Sequence, residues 1–365
     1  MNYQDEFRDR ALVAIMADNI RKMAARLKKP VNFMEVCGTH TMSIYQYGIR
    51  SLLPENVRLV SGPGCPVCVT PVGYVDKAIA AAADPANIVA TFGDMLRVPG
   101  SQSSLMSARA GGADVRIVYS PLDAVTLAAE HPQRRVVFLG VGFETTAPTI
   151  AATILEASRR GLSNYCVLAS HKTMPVPMEI LTADPDLGLS GYLCPAHVST
   201  VIGGKAYQPL AEKYGIPCVV TGFEPADVMQ GIEMLLAQQL AGESKVEIQY
   251  RRAVSWEGNP KALAIMARVF VPCDAEWRGL GILPGSGLAI RPELAVFDAE
   301  KVLNLPDTPG VEQPGCRCGE VLKGKLSPLD CPLFATVCTP EAPVGACMVS
   351  SEGTCAAAFK YGERS

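Results

Sequence analysis

The sequence predicts an α/β protein: two similar parallel-sheet domains around a cleft, followed by a small cysteine-bearing module. Three observations carry this reading. Short apolar runs alternate with longer helical stretches, the pattern of a parallel sheet covered by helices. The alternation begins again near residue 136. Six of the thirteen cysteines fall between Cys316 and Cys355.

Residues 4–28 read as a helical opening, with Phe7, Ala11, Ile15 and Ile20 near helical spacing, and Pro30 ends it. Strands are expected at 32–36, 57–60, 87–92 and 115–119, with helices at 74–83 and 121–130 between them. The second round has strands at 136–141, 164–169, 191–193 and 217–220. Helices at 227–240 and 261–270 follow. Each strand of this round ends in a polar or glycine-rich loop, and the first half has matching loops after its own strands. An α/β sheet usually carries its chemistry at such strand ends. The expected domains are 1–130, 131–265 and 266–365, with the loops of the first two facing one cleft. Residues 279–287 are glycine-rich and read as a loop; they lack the Gly-Lys-Ser/Thr ending of a phosphate loop. Residues 305–320, rich in Pro and Gly, lead into the cysteine module.

A length of 365 residues suits two or three domains. The formal charge of −3 gives no general attraction to nucleic acid or acidic lipid. The first eight residues have no apolar signal core, and no apolar run approaches the roughly 18 residues of a membrane span. A cytoplasmic protein with no nucleic-acid or membrane partner is expected. Cytosolic thiols usually stay reduced, so thirteen cysteines point to metal, catalysis or redox work.

Cys37-Gly38-Thr39-His40 closes the first strand, placing a thiol, a hydroxyl and an imidazole side by side. Gly62-Pro63-Gly64-Cys65-Pro66-Val67-Cys68 closes the next. The last segment reads C-x-C-x12-C-x6-C-x8-C-x7-C. Zinc, an iron–sulfur cluster and redox cysteine pairs are the alternatives there. Structural zinc prefers closely spaced pairs, often with histidine, and this segment has neither C-x2-C nor His. An iron–sulfur cluster takes four thiolates at more variable spacing, which leaves two of six for disulfide chemistry.

Taken in order, these stretches resemble the HypD family of hydrogenase maturation proteins. Gly142-Phe143-Glu144-Thr145-Thr146-Ala147-Pro148, Cys194-Pro195-Ala196-His197-Val198, Asp330-Cys331-Pro332-Leu333-Phe334 and Cys347-Met348-Val349-Ser350-Ser351-Glu352-Gly353 complete the resemblance. It runs from about residue 33 to the C-terminus, with no departure at a motif cysteine. It implies two α/β domains plus a C-terminal iron–sulfur module. It also implies a scaffold for the Fe(CN)2CO unit of [NiFe]-hydrogenase, in complex with the chaperone HypC and receiving cyanide from HypE. By the family pattern, Cys316, Cys331, Cys338 and Cys355 hold a [4Fe-4S] cluster, and Cys318 and Cys347 are the spare pair. Cys37 is the iron-carrying thiol, with Cys65 and Cys68 a nearby redox pair.

Chemistry accords with those roles. Thiolate is a soft donor suited to iron that also carries cyanide and carbon monoxide. His40 or His197 is a candidate for keeping Cys37 deprotonated or holding a proton during ligand transfer. Cys65 and Cys68 precede a helix whose N-terminus favours thiolate. Glu144 and Asp94 are candidates for positioning ligands or capping helices. His131 reads as packing, and His171 sits in a loop facing the cleft. Cys166, Cys194, Cys218 and Cys273 lie in or beside apolar runs and read mostly as buried structural thiols. The alternative function is a cluster-dependent thiol–disulfide oxidoreductase acting on a protein. A radical S-adenosylmethionine enzyme lacks its C-x3-C-x2-C motif here.

Overall fold

Two sheets form the molecule, and they do not divide the chain into successive halves. The computed structural model describes residues 6–306 and 309–362, so the first two residues of the expected helical opening lie outside it. The strands are β1 (Val31–Glu35), β2 (Val57–Ser61), β3 (Asn87–Thr91), β4 (Val115–Ile117), β5 (Arg135–Gly142), β6 (Tyr165–Lys172), β7 (Leu189–Pro195), β8 (Cys218–Thr221), β9 (Val246–Ile248), β10 (Phe270–Trp277) and β11 (Gly281–Ile290). Sheet one is parallel, in the order β2-β1-β7-β8-β9. Sheet two runs β10-β11-β6-β5-β3-β4, parallel except for the antiparallel β10 and β11.

The strand at each expected position is present, but its partners are not those that chain order suggests. β1 pairs with β7, and β3 with β5, so a boundary at residue 130 cuts both sheets. Periodicity reports how a strand is buried, whereas pairing is decided by loop closure and packing across the whole chain. The glycine-rich 279–287 stretch is a further correction: most of it is β11, hydrogen-bonded to β10 and β6. Glycine and proline hide a strand from propensity, and the sheet supplies the order they lack.

The helices used below are α1 (Arg10–Ala24), α2 (Gly38–Gln46), α3 (Pro66–Val69), α4 (Val72–Ala83), α5 (Ala147–Arg159), α6 (Pro225–Ala241), α7 (Cys318–Leu322), α8 (Ala346–Val349) and α9 (Thr354–Tyr361). Asp9 caps α1 by accepting from the amides of Ala11 and Leu12. The buried face of α1 is Ala17, Ile20 and Ala24, packed with α6 against sheet one; Ile15, expected on that face, is 60% exposed. α4 and α5 cover opposite faces of sheet two. Between the sheets lies a shared apolar core, and beside it Met42 after β1 and Asp94 and Arg97 after β3 face one cavity with the C-terminal segment. Met34 from β1 and Cys65 and Cys68 from the loop and turn after β2 meet Phe143, Met174 and Trp277 on the side of sheet two, and Cys318 and Cys347 from the C-terminal segment. Among the described residues no helix is long and apolar enough to cross a membrane.

Phe33 is wholly buried in central strand β1. Phe33→Ala should lower unfolding free energy by about 3–5 kcal/mol in urea titration. Ile15→Ala should change it by less than about 0.5 kcal/mol; equal losses would contradict the burial assigned to α1.

Candidate functional site

Cys37 stands where β1 gives way to α2. Its backbone is still extended, and the helix begins at the next residue. Two glycines bring other chain segments hard against it. A side chain at Gly64 would overlap the Cys37 backbone, and the Gly64 carbonyl accepts from the Gly38 amide at 3.0 Å. A Cβ at Gly38 would come within 2.5 Å of the Glu352 side chain. The C-terminal segment is therefore seated on the first turn of α2, and α9 packs along that helix. Thr39 Oγ1 donates to Glu352 Oε1 at 2.7 Å.

The thiol is nearly enclosed. Burial pushes Cys37 up to about 12, and the Glu352 charge raises it further, against the amides of Thr39 and His40, which favour thiolate. His40 is fully buried, and its Nε2 lies 3.0 Å from the carbonyls of both Thr221 and Gly222, which makes Nε2 the protonated nitrogen. Nδ1 has no hydrogen-bond partner. Burial lowers His40 to about 4, so it is neutral at pH 7 and its hydrogen bonds go to the β8 loop, not to Cys37. Phe223 joins the two histidines of the motifs: its ring lies 4.8 Å from His40 and 4.1 Å from the exposed His197. Glu35, also fully buried, accepts from Thr41 Oγ1 at 2.7 Å, and desolvation raises it to about 7.

Cys65 and Cys68 are joined by a disulfide across the start of α3 and are buried. α3 packs on α8, which carries Cys347, and Cys68 Sγ lies 3.8 Å from the Ala346 carbonyl. Cys347 in turn approaches Cys318 to 2.7 Å between sulfurs. All six cysteines of the C-terminal segment line one cavity, closed by apolar side chains that include Leu333, Phe334 and Met348. Cys318 is held well below the ordinary thiol range by hydrogen bonds from Cys316 and Cys347, helped by the Arg278 charge. The HypD family model, described as "Hydrogenase formation hypA family", matches residues 11–362.

The chain belongs to the HypD family. It is 49% identical to the hydrogenase maturation factor HypD of Azotobacter vinelandii, over 100% of this chain and 98% of that one. It is 47% identical to the Escherichia coli K12 factor of that name, over 99% and 98%, and 48% identical to that of Cupriavidus necator, over 99% and 97%.

Other residues of the HypD motifs lie across the shared core. Glu144, after β5, is buried; Oε1 accepts from the Met174 amide at 3.0 Å and Oε2 has no partner. Asp94 is on a 3-10 turn after β3. His171 is buried against Phe270, with neither ring nitrogen hydrogen-bonded, and His131 meets Arg116. Cys166, Cys194 and Cys218 are buried in strands, and Cys273 is half-buried in β10. Glu35, Phe223 and Glu352 were not singled out from the sequence. A signal for Glu352 was present, since it lies within a quoted motif, but nothing local ties it to Thr39, 313 residues away.

Desolvation raises Glu144 to about 7 from 4.5. Between those values the folded chain keeps a proton that the unfolded chain has lost, so stability falls as pH rises. Glu144→Gln should flatten that fall between pH 5 and pH 7 by up to about 1.4 kcal/mol per pH unit in denaturant titrations. An unchanged slope would mean that Glu144 ionises as freely folded as unfolded.

Proposed function

We propose that this HypD-family chain works in hydrogenase maturation as a redox-active scaffold on which an Fe(CN)2CO unit is assembled. One observation carries the reading: a run of thiols links the Cys37 strand end to the six-cysteine cavity. Gly64 touches Cys37, Cys65 and Cys68 follow it, Cys68 abuts the residue before Cys347, and Cys347 meets Cys318.

The donor set fits a [4Fe-4S] cluster. Among the described residues no three His, Cys, Asp or Glu side chains gather around a point, as a single ion requires. Six thiols instead border one apolar cavity, the arrangement a polynuclear cluster needs. By the family pattern Cys316, Cys331, Cys338 and Cys355 would hold it, and Cys318 and Cys347, whose sulfurs approach to 2.7 Å, would be the spare pair. When bound, the cluster supplies electrons one at a time. Cys318 with Cys347, and Cys65 with Cys68, alternate between dithiol and disulfide. Cys37 is the thiolate for the cargo iron. Iron at the sulfur replaces the proton, which offsets the cost of burying an anion there. The Thr39 and His40 amides favour the thiolate, while the neutral His40 ring is turned to the β8 loop.

A HypC-type chaperone would share the iron, and a HypE-type donor would bring cyanide. The alternative, a thiol–disulfide oxidoreductase for a protein substrate, needs an outer pair that a foreign sulfur can reach. Cys65 and Cys68 are 3% and 0% exposed, which favours the scaffold.

Two measurements test this. Infrared spectra of the chain purified anaerobically with the small chaperone should show cyanide and carbon monoxide bands. Cys37→Ala should lose them and keep the broad visible absorbance of the cluster; intact bands would move the iron elsewhere. Cys331→Ala should lose that absorbance, whereas Cys318→Ala should keep it. Full absorbance in Cys331→Ala would sink the ligand assignment.

A further inference from the structure

The tight turn between β10 and β11, residues 278–280, is inserted between the two thiol-bearing segments. Its base is rigid. Trp277 is wholly buried, stacks on Phe143 at 5.8 Å and donates from Nε1 to Ser286 Oγ at 2.8 Å. From that base Arg278 reaches the segment that ends α3. Its amide donates to the Val69 carbonyl and its Nε to the Thr70 carbonyl, each at 2.9 Å. Nη1 donates to Glu312 at 2.9 Å, on the stretch leading to Cys316. The Arg278 side chain is only 1% exposed. The next residue holds the other side. Gly279 has a φ of +80°, and a side chain there would overlap the Gly319 backbone, one residue beyond Cys318.

A buried guanidinium is costly, and surrounding apolar packing would be served better by an uncharged side chain. Two adjacent residues that each grip one thiol segment are therefore more than filling. We propose that Arg278, seated by Gly279, is a positioning residue that keeps the Cys68 turn against α8, which carries Cys347, so that the two thiol pairs exchange. This rests on the redox reading given above.

The exchange balances within the chain. The Cys347 thiolate attacks Cys68 Sγ, the Cys68–Cys347 bond forms, and the Cys65–Cys68 bond breaks with Cys65 leaving as thiolate. The Cys318 thiolate then attacks Cys347, and Cys68 leaves as thiolate. Two electrons pass from Cys318/Cys347 to Cys65/Cys68. The first pair releases two protons and the second takes up two.

The test uses the full chain with Cys65→Ser and Cys318→Ser, which removes the resolving thiols. Oxidation by diamide, which accepts the two electrons, should trap the Cys68–Cys347 disulfide, read by peptide mass spectrometry against time. Adding Arg278→Met should slow trapping by about 10–100-fold, the usual cost of a small misplacement of reacting groups. In the otherwise native chain, Arg278→Met should still form Cys318–Cys347, which separates lost positioning from lost folding. Arg278→Lys, able to keep one bond but not the fork, should slow trapping by about 2- to 10-fold. It carries the test if the Met variant does not fold. A wild-type trapping rate in either Arg278 variant overturns the positioning role. If the cross-link fails to form with Arg278 intact, it is the relay itself that fails.

Discussion

The site depends on close backbone approach at the end of β1. With glycine at 38 and 64, the Cys65 loop comes against the Cys37 backbone and the Glu352 segment against its neighbour Gly38. Any side chain at either position would force one of these segments away. The contact joins residues that are distant in sequence, which is why the C-terminal segment is part of the Cys37 site and not a separate appendage. Loop-closure entropy opposes so long a connection, and the shared apolar core offsets it.

Burial then sets the electrostatics. Glu35, Glu144, His40 and His171 are all withdrawn from water, and each is shifted toward its neutral form. Cys37 follows the same rule in the absence of a cation. Arg278 differs, a buried cation tied to carbonyls and to the half-exposed Glu312.

The sequence placed the cysteine motifs at strand ends, as the structure does, because a strand end is a local property. An apolar run followed by Cys-Gly-Thr-His, or by Gly-Cys-Pro-Val-Cys, is visible in a few residues. The pairing of sulfurs is partly of this kind: Cys65 and Cys68 are three residues apart and share a helix start. The reach from Thr39 to Glu352, and from Arg278 to Thr70, has no local trace. Phe223, wedged between His40 and His197, was likewise invisible until β8 was set beside β7.

By itself the sequence determined the α/β class, the positions of eight strands and the family. These follow from short-range periodicity and motif order. Tertiary structure decided that β1 pairs with β7 and β3 with β5, that 281–290 is a strand, and that loops of both sheets and the C-terminal segment share one apolar core. It also decided the protonation state around Cys37. Pairing and desolvation are set by which surfaces meet, and that depends on the whole chain at once.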